Sequence, residues 1–171
     1  RKAIPVLIKV LEDITQEPMV RHEAAEALGA IGSAESLDII EKFRKDPVAE
    51  VAETCELALA RIKWLQNPDN KENCSKNPYN SVDPTPPADT EKLEILRSTL
   101  LDEDESLFER YRAMFSLRNL QSKAAVETLG SALKCGSALF RHEVAFVLGQ
   151  IQSEHSVPFL KESLRNENEN E

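Results

Sequence analysis

Apolar residues recur at helical spacing through most of this chain. Ala3, Ile4, Val6, Leu7, Ile8, Val10 and Leu11 predict an amphipathic helix over residues 3–12. A second helix starts behind Glu17-Pro18, where proline suits the first turn, and runs to Gly29 or Ile31. Ser33 or Ser36 caps a third, with Leu37, Ile39, Ile40 and Phe43 at helical spacing. Asp46-Pro47 then opens a long fourth helix from Val48 to about Leu65, repeating Glu17-Pro18 at an interval of 29 residues.

The pattern stops at Gln66. Asn67-Pro68-Asp69-Asn70 is turn chemistry, and Pro84, Pro86 and Pro87 forbid a helix interior, so residues 66–90 read as a linker. At about 25 residues it is too long for an ordinary turn between packed helices, and such a segment holds two halves apart or lets them swing. Helices return over Leu93–Leu101, Ser106–Leu120, Ala124–Leu133, Ala138–Ile151 and Val157–Leu164, and the polar tail 166–171 is expected to be disordered. The expectation is an all-α protein of helical hairpins, one about every 30 residues, in two halves (1–65 and 91–165). Hairpins at this interval, with a proline leading one helix, resemble HEAT-type repeats, which stack into an α-solenoid.

One string occurs twice. Arg21-His22-Glu23-Ala24-Ala25-Glu26-Ala27-Leu28-Gly29-Ala30-Ile31 returns as Arg141-His142-Glu143-Val144-Ala145-Phe146-Val147-Leu148-Gly149-Gln150-Ile151, 120 residues later. On a helical wheel Val20, Ala24, Ala27, Leu28 and Ile31 form the packing stripe of the first copy, and Phe140, Val144, Val147, Leu148 and Ile151 that of the second. His22 and His142 point away from their stripes, while Glu23 and Glu143 sit at the edges, with Glu26 between Glu23 and His22. A lone His-Glu on a helix is ordinarily part of a solvated face. Here the pair occurs twice in one repeat position, each time behind an arginine. Phe146 shares the histidine side of its helix, where a water-facing surface rarely carries phenylalanine. Two histidines and two carboxylates on halves joined by a linker predict one shared site.

Composition narrows the chemistry. The chain has 171 residues, a formal charge of -9, 41% hydrophobic and only 5% aromatic residues, which favours small-residue helix packing and argues against a nucleic-acid surface. The acidity suits a basic partner. No apolar run approaches membrane-spanning length and no signal-peptide pattern is seen, so a cytoplasmic protein without membrane contact is expected. Cys55, Cys74 and Cys135 are odd in number and lack Cys-x-x-Cys spacing, as for reduced thiols. Asn73-Cys74-Ser75 has the form of a glycosylation acceptor, but the expected location leaves it unmodified. Nucleophilic catalysis and phosphate binding find no motif. Imidazole with carboxylate is the ligand set of non-haem iron, and helical proteins hold paired irons this way; zinc is a weaker candidate.

Several longer strings closely resemble one family. They are Glu17-Pro18-Met19-Val20-Arg21-His22-Glu23-Ala24, Asp46-Pro47-Val48, Val51-Ala52-Glu53-Thr54-Cys55, Ser81-Val82-Asp83-Pro84, Phe108-Glu109-Arg110-Tyr111-Arg112-Ala113-Met114-Phe115 and Gly136-Ser137-Ala138-Leu139-Phe140-Arg141-His142-Glu143. Together they resemble deoxyhypusine hydroxylase, over nearly the whole chain apart from the linker interior and the tail. The resemblance implies a monooxygenase using O2 at a di-iron centre (Fe2+, two ions per full-length enzyme). Its partner would be a translation factor, whose deoxyhypusine side chain it hydroxylates to hypusine. It further implies that His22, Glu23, His142 and Glu143 are metal ligands, while non-ligating glutamates of the family hold the substrate's cationic amine. The family carries four His-Glu pairs and this chain two, since Val51-Ala52 and Tyr111-Arg112 stand at equivalent positions. A fragment lacking a repeat or more at each end, inactive by itself, is therefore expected. The rival readings are a non-catalytic HEAT scaffold, in which both histidines should face water, and a bilin-lyase-like HEAT protein.

Overall fold

The computed structural model describes residues 2–70 and 77–169, and among them the chain is all-α, with no strand. The helices are α1 (Ile4–Glu12), α2 (Pro18–Ile31), α3 (Leu37–Phe43), α4 (Ala49–Gln66), α5 (Leu93–Leu101), α6 (Leu107–Leu120), α7 (Lys123–Ala132), α8 (Ala138–Ile151) and α9 (Val157–Leu164). These bounds lie within a residue or two of those that periodicity and capping predict. Asn73-Cys74-Ser75 lies outside the described residues.

The helices form two compact units, one of Arg1–Ser75 with Val82–Pro86, the other of Lys76–Ser81 with Pro87–Glu171. In the first unit Ile4, Leu11, Ala24, Ala25, Leu28, Ile40, Phe43, Val51, Cys55, Ala58 and Ile62 close a continuous apolar core. Helix α2 lies at its centre, flanked by α1 and α4. It starts on Pro18 and stops at Gly32, whose φ of 68° is the left-handed conformation of a helix C-terminal stop. α2 comes so near α4 that a Cβ on Gly29 would lie 2.7 Å from the Ala58 Cβ and 2.9 Å from its Cα. Two small residues thus set this interhelical distance.

Arginine ties the first hairpin of each unit together. Arg21 Nε donates to the Leu11 carbonyl at 3.0 Å, and Arg110 Nε donates to the Leu100 carbonyl at 3.1 Å, ten residues back in both cases. Those carbonyls belong to the last turns of α1 and α5, which lack intrahelical partners and carry the negative end of the helix dipole. Arg21 continues to Asp46, whose carboxylate also accepts from the Val48 N–H at 2.9 Å.

The second unit is built around α6, where every residue from Arg110 to Arg118 is buried. Arginines 110, 112 and 118 would be costly there without partners. Arg110 has the Leu100 carbonyl, and part of the proline-rich stretch supplies partners to the other two. Arg112 donates to the Pro87 carbonyl at 3.2 Å and pairs with Asp89 at 3.1 Å. The Ala88 N–H donates to Ser116 Oγ at 2.8 Å, and the Arg118 guanidinium lies over the Tyr79 and Phe115 rings, 4.8 Å from each centroid. At the other end of this unit the tail residue Glu169 pairs with Arg141.

Candidate metal-binding site

The two copies of the repeated string sit on α2 and α8, and their surroundings differ. His22 is 5% exposed, although the wheel points it away from the core. The buried residues of α2 are Arg21, His22, Ala24, Ala25, Leu28 and Gly29, while the predicted stripe residues Val20 and Ile31 are exposed. The reason is size. Ala25 and Gly29 admit α4 along a second face of α2, and His22, two turns before Gly29, is covered with them. A wheel weighted by hydrophobicity does not register a face made of small residues.

His22 Nδ1 lies 2.6 Å from Thr54 Oγ1, and that hydroxyl donates to the Glu50 carbonyl at 2.7 Å. The other ring nitrogen, Nε2, lies 3.8 Å from Glu26 and 4.0 Å from Glu23. Burial pushes the Glu26 carboxyl above its ordinary value, and the charges of Glu23 and Asp83 push it further. Asp46 moves the other way. Burial opposes its ionisation, but the hydrogen bonds from Arg21 and the Val48 N–H outweigh that, with the Arg21 charge, and hold it low. Cys55, buried beside this cluster, is a free thiol pushed up to about 12, chiefly by burial and then by Asp46. It is therefore no nucleophile at neutral pH.

In the second copy the burial is reversed. Phe140, Val144, Val147 and Leu148 are core, as the stripe predicts, and Glu143 is buried where an edge position was expected. His142 is exposed, beside an open groove shared with Arg141, Ser163 and Glu169. Phe146 is 54% exposed, so about half of it faces solvent on the surface it was expected to share with a partner. Gly149, the counterpart of Gly29, has nothing within 4 Å of its would-be Cβ. Among the described residues no helix lies against α8 there as α4 lies against α2.

Within the first unit the structure thus brings His22 together with Glu23 and Glu26. Among the described residues no group of three or more His, Cys, Asp or Glu is placed to hold a metal ion. The donor types suit iron, and the number in either unit falls short. The scaffold expectation of two water-exposed histidines holds at His142 and fails at His22. Sequence reading gave no role to Thr54 or Glu26. The signal for Thr54 was a hydroxyl at helical spacing with the apolar residues Val51, Cys55 and Ala58 of α4.

The helix pairs and their repeated arginine ties define the class. Residues 1–60 and 89–171 match the HEAT-repeat family, and the chain belongs to it. More particularly, it is 56% identical over 99% of its length to the deoxyhypusine hydroxylase of Gallus gallus, and 56% identical over 98% of its length to that of Danio rerio. It covers 56% of each of those proteins, so it spans about half the length of the curated relatives it matches. The solved structure of human deoxyhypusine hydroxylase in complex with glycerol is similar with a TM-score of 0.94 and 55% identity, over 99% of this chain and 58% of that one.

Proposed function

We propose that this chain carries part of the active site of an iron-dependent monooxygenase that hydroxylates deoxyhypusine in a translation factor to hypusine, using O2. The observation that carries the reading is the 56% identity, over almost all of the chain, to proteins named for this activity. Iron, when bound, supplies the activation of O2. This chain would supply part of the donor set. His22 Nε2 and the Glu23 carboxylate hold metal in the first unit, and His142 with Glu143 does so in the second. The carboxylates of Glu23, Glu26 and Asp83 make the His22 site acidic, which favours the cationic amine of a deoxyhypusine side chain over neutral competitors. No helix among the described residues is long and apolar enough to cross a membrane, and a cytoplasmic location, where translation factors work, belongs to the same reading.

The test uses the chain and a chimera in which it replaces the matching part of the Gallus gallus hydroxylase. With Fe(II) and O2, the chimera is expected to convert a deoxyhypusine-containing translation factor, and His22→Ala and His142→Ala to abolish conversion. The chain alone, with one imidazole at each candidate site, is expected to form no product. A chimera whose turnover survives both substitutions would overturn the assignment of these residues.

A further inference from the structure

We propose that Thr54 is a positioning residue for His22, fixing which ring nitrogen faces the metal; this rests on the metal-ligand reading above. A threonine hydroxyl has one hydrogen. Here it is donated to the Glu50 carbonyl at 2.7 Å. At 2.6 Å from His22 Nδ1, Thr54 Oγ1 is therefore the acceptor, and Nδ1 carries the hydrogen. This holds for the neutral and the charged ring alike. The nitrogen left to coordinate is Nε2, which is the one lying 3.8 Å from Glu26 and 4.0 Å from Glu23. A second hydrogen bond that fixes tautomer and ring angle is the usual outer partner of a metal-bound histidine.

Three observations separate this from a threonine that merely returns its hydroxyl to its own helix. Both Thr54 and His22 are buried, at 3% and 5% exposure, so water does not substitute for either partner. The bond crosses from α4 to α2, one turn before Ala58 and two turns before Gly29, whose close approach packs the same two helices together, so the ring is held by a rigid pair of helices. Thr54 is also specific to its repeat. The counterparts on α2, α6 and α8 are Ala25, Met114 and Ala145, none of which has a hydroxyl. Helix α4, with Val51-Ala52 where other helices carry His-Glu, thus contributes a hydroxyl to its neighbour's histidine.

The test combines ring nitrogen NMR of the metal-free chain with cobalt(II) titration of the chimera. The His22 signals, assigned by their loss in His22→Gln, should show the Nδ1–H tautomer of the neutral ring. Thr54→Val should release that preference and lower cobalt affinity by about 10–100-fold, and Thr54→Ser should restore both. An Nε2–H tautomer in the wild-type chain overturns the proposal without any metal measurement. Wild-type cobalt uptake that Thr54→Val leaves unchanged overturns the role of Thr54 alone. A wild-type chimera that takes up no cobalt overturns the metal reading and this inference with it.

Discussion

In the first unit the histidine of the repeated Arg-His-Glu string is buried and its glutamate exposed; in the second the histidine is exposed and the glutamate buried. The local sequence does not cause this, because Arg, His, Glu, Leu and Gly recur at the same offsets. The cause is the neighbour. α4 lies along α2 over Ala25 and Gly29, and no described helix lies along α8 over Ala145 and Gly149. A repeat protein sets the environment of a side chain partly by its own hairpin and partly by the next one along. The buried histidine is the one whose tautomer the fold determines.

The sharpest way to break the comparison is at the arginine that precedes each histidine. Arg21 and Asp46 are almost fully buried, with side-chain exposures of 4% and 3%, whereas Arg141 and Glu169 are 23% and 21% exposed. Asp46→Ala leaves a buried guanidinium short of its counter-charge and should cost the first unit about 3 kcal/mol. Glu169→Ala should cost the second unit less than about 1 kcal/mol. Hydrogen exchange of α2 and α8 reads the two units separately, and equal losses would contradict the difference in burial.

The glycines give the next largest contrast. Gly29→Ala forces a methyl against the α4 backbone at Ala58 and should destabilise the first unit by about 1–3 kcal/mol. Gly149→Ala meets open space and should stabilise α8 by about 0.5–1 kcal/mol, through helix propensity alone. Opposite signs in denaturant midpoint are the expected result.

Acid sharpens the same picture. A carboxyl held below its ordinary value when folded stabilises the protein above the unfolded value, near 3.8, and that stabilisation is lost as pH falls through the folded value. The midpoint difference between wild type and Asp46→Asn should therefore be constant near neutrality and shrink only below about pH 4. A difference already fading at pH 6 would point to another group. The smallest effect concerns Phe146, which is half in solvent: Phe146→Ser should change stability by no more than about 0.5 kcal/mol.

Helix positions were legible because proline starts and apolar spacing are local properties. So was the HEAT-type repeat, since Glu17-Pro18 returns as Asp46-Pro47 and the Arg-His-Glu string returns whole. The orientation of the α2 face was not legible. Ala25 and Gly29 carry almost no hydrophobic weight, yet they admit α4 and bury His22, while the heavier Val20 and Ile31 stay outside. The partners of α6 were hidden for another reason. Arg112 and Arg118 find Pro87, Asp89 and Tyr79 in a stretch without helical periodicity, and pattern reading assigns such a stretch no contacts. Thr54 needed the distance between two helices, which no one-dimensional spacing contains.

Under the proposed function, His22-Glu23 and His142-Glu143 each hold iron. The most direct test is bound iron per molecule after anaerobic Fe(II) loading of the chimera, its His22→Ala and His142→Ala variants, and the chain alone. About two irons are expected on the chimera, about one fewer with either substitution, and little on the chain alone. Iron content unchanged by both substitutions, or no iron on the chimera at all, would contradict that reading.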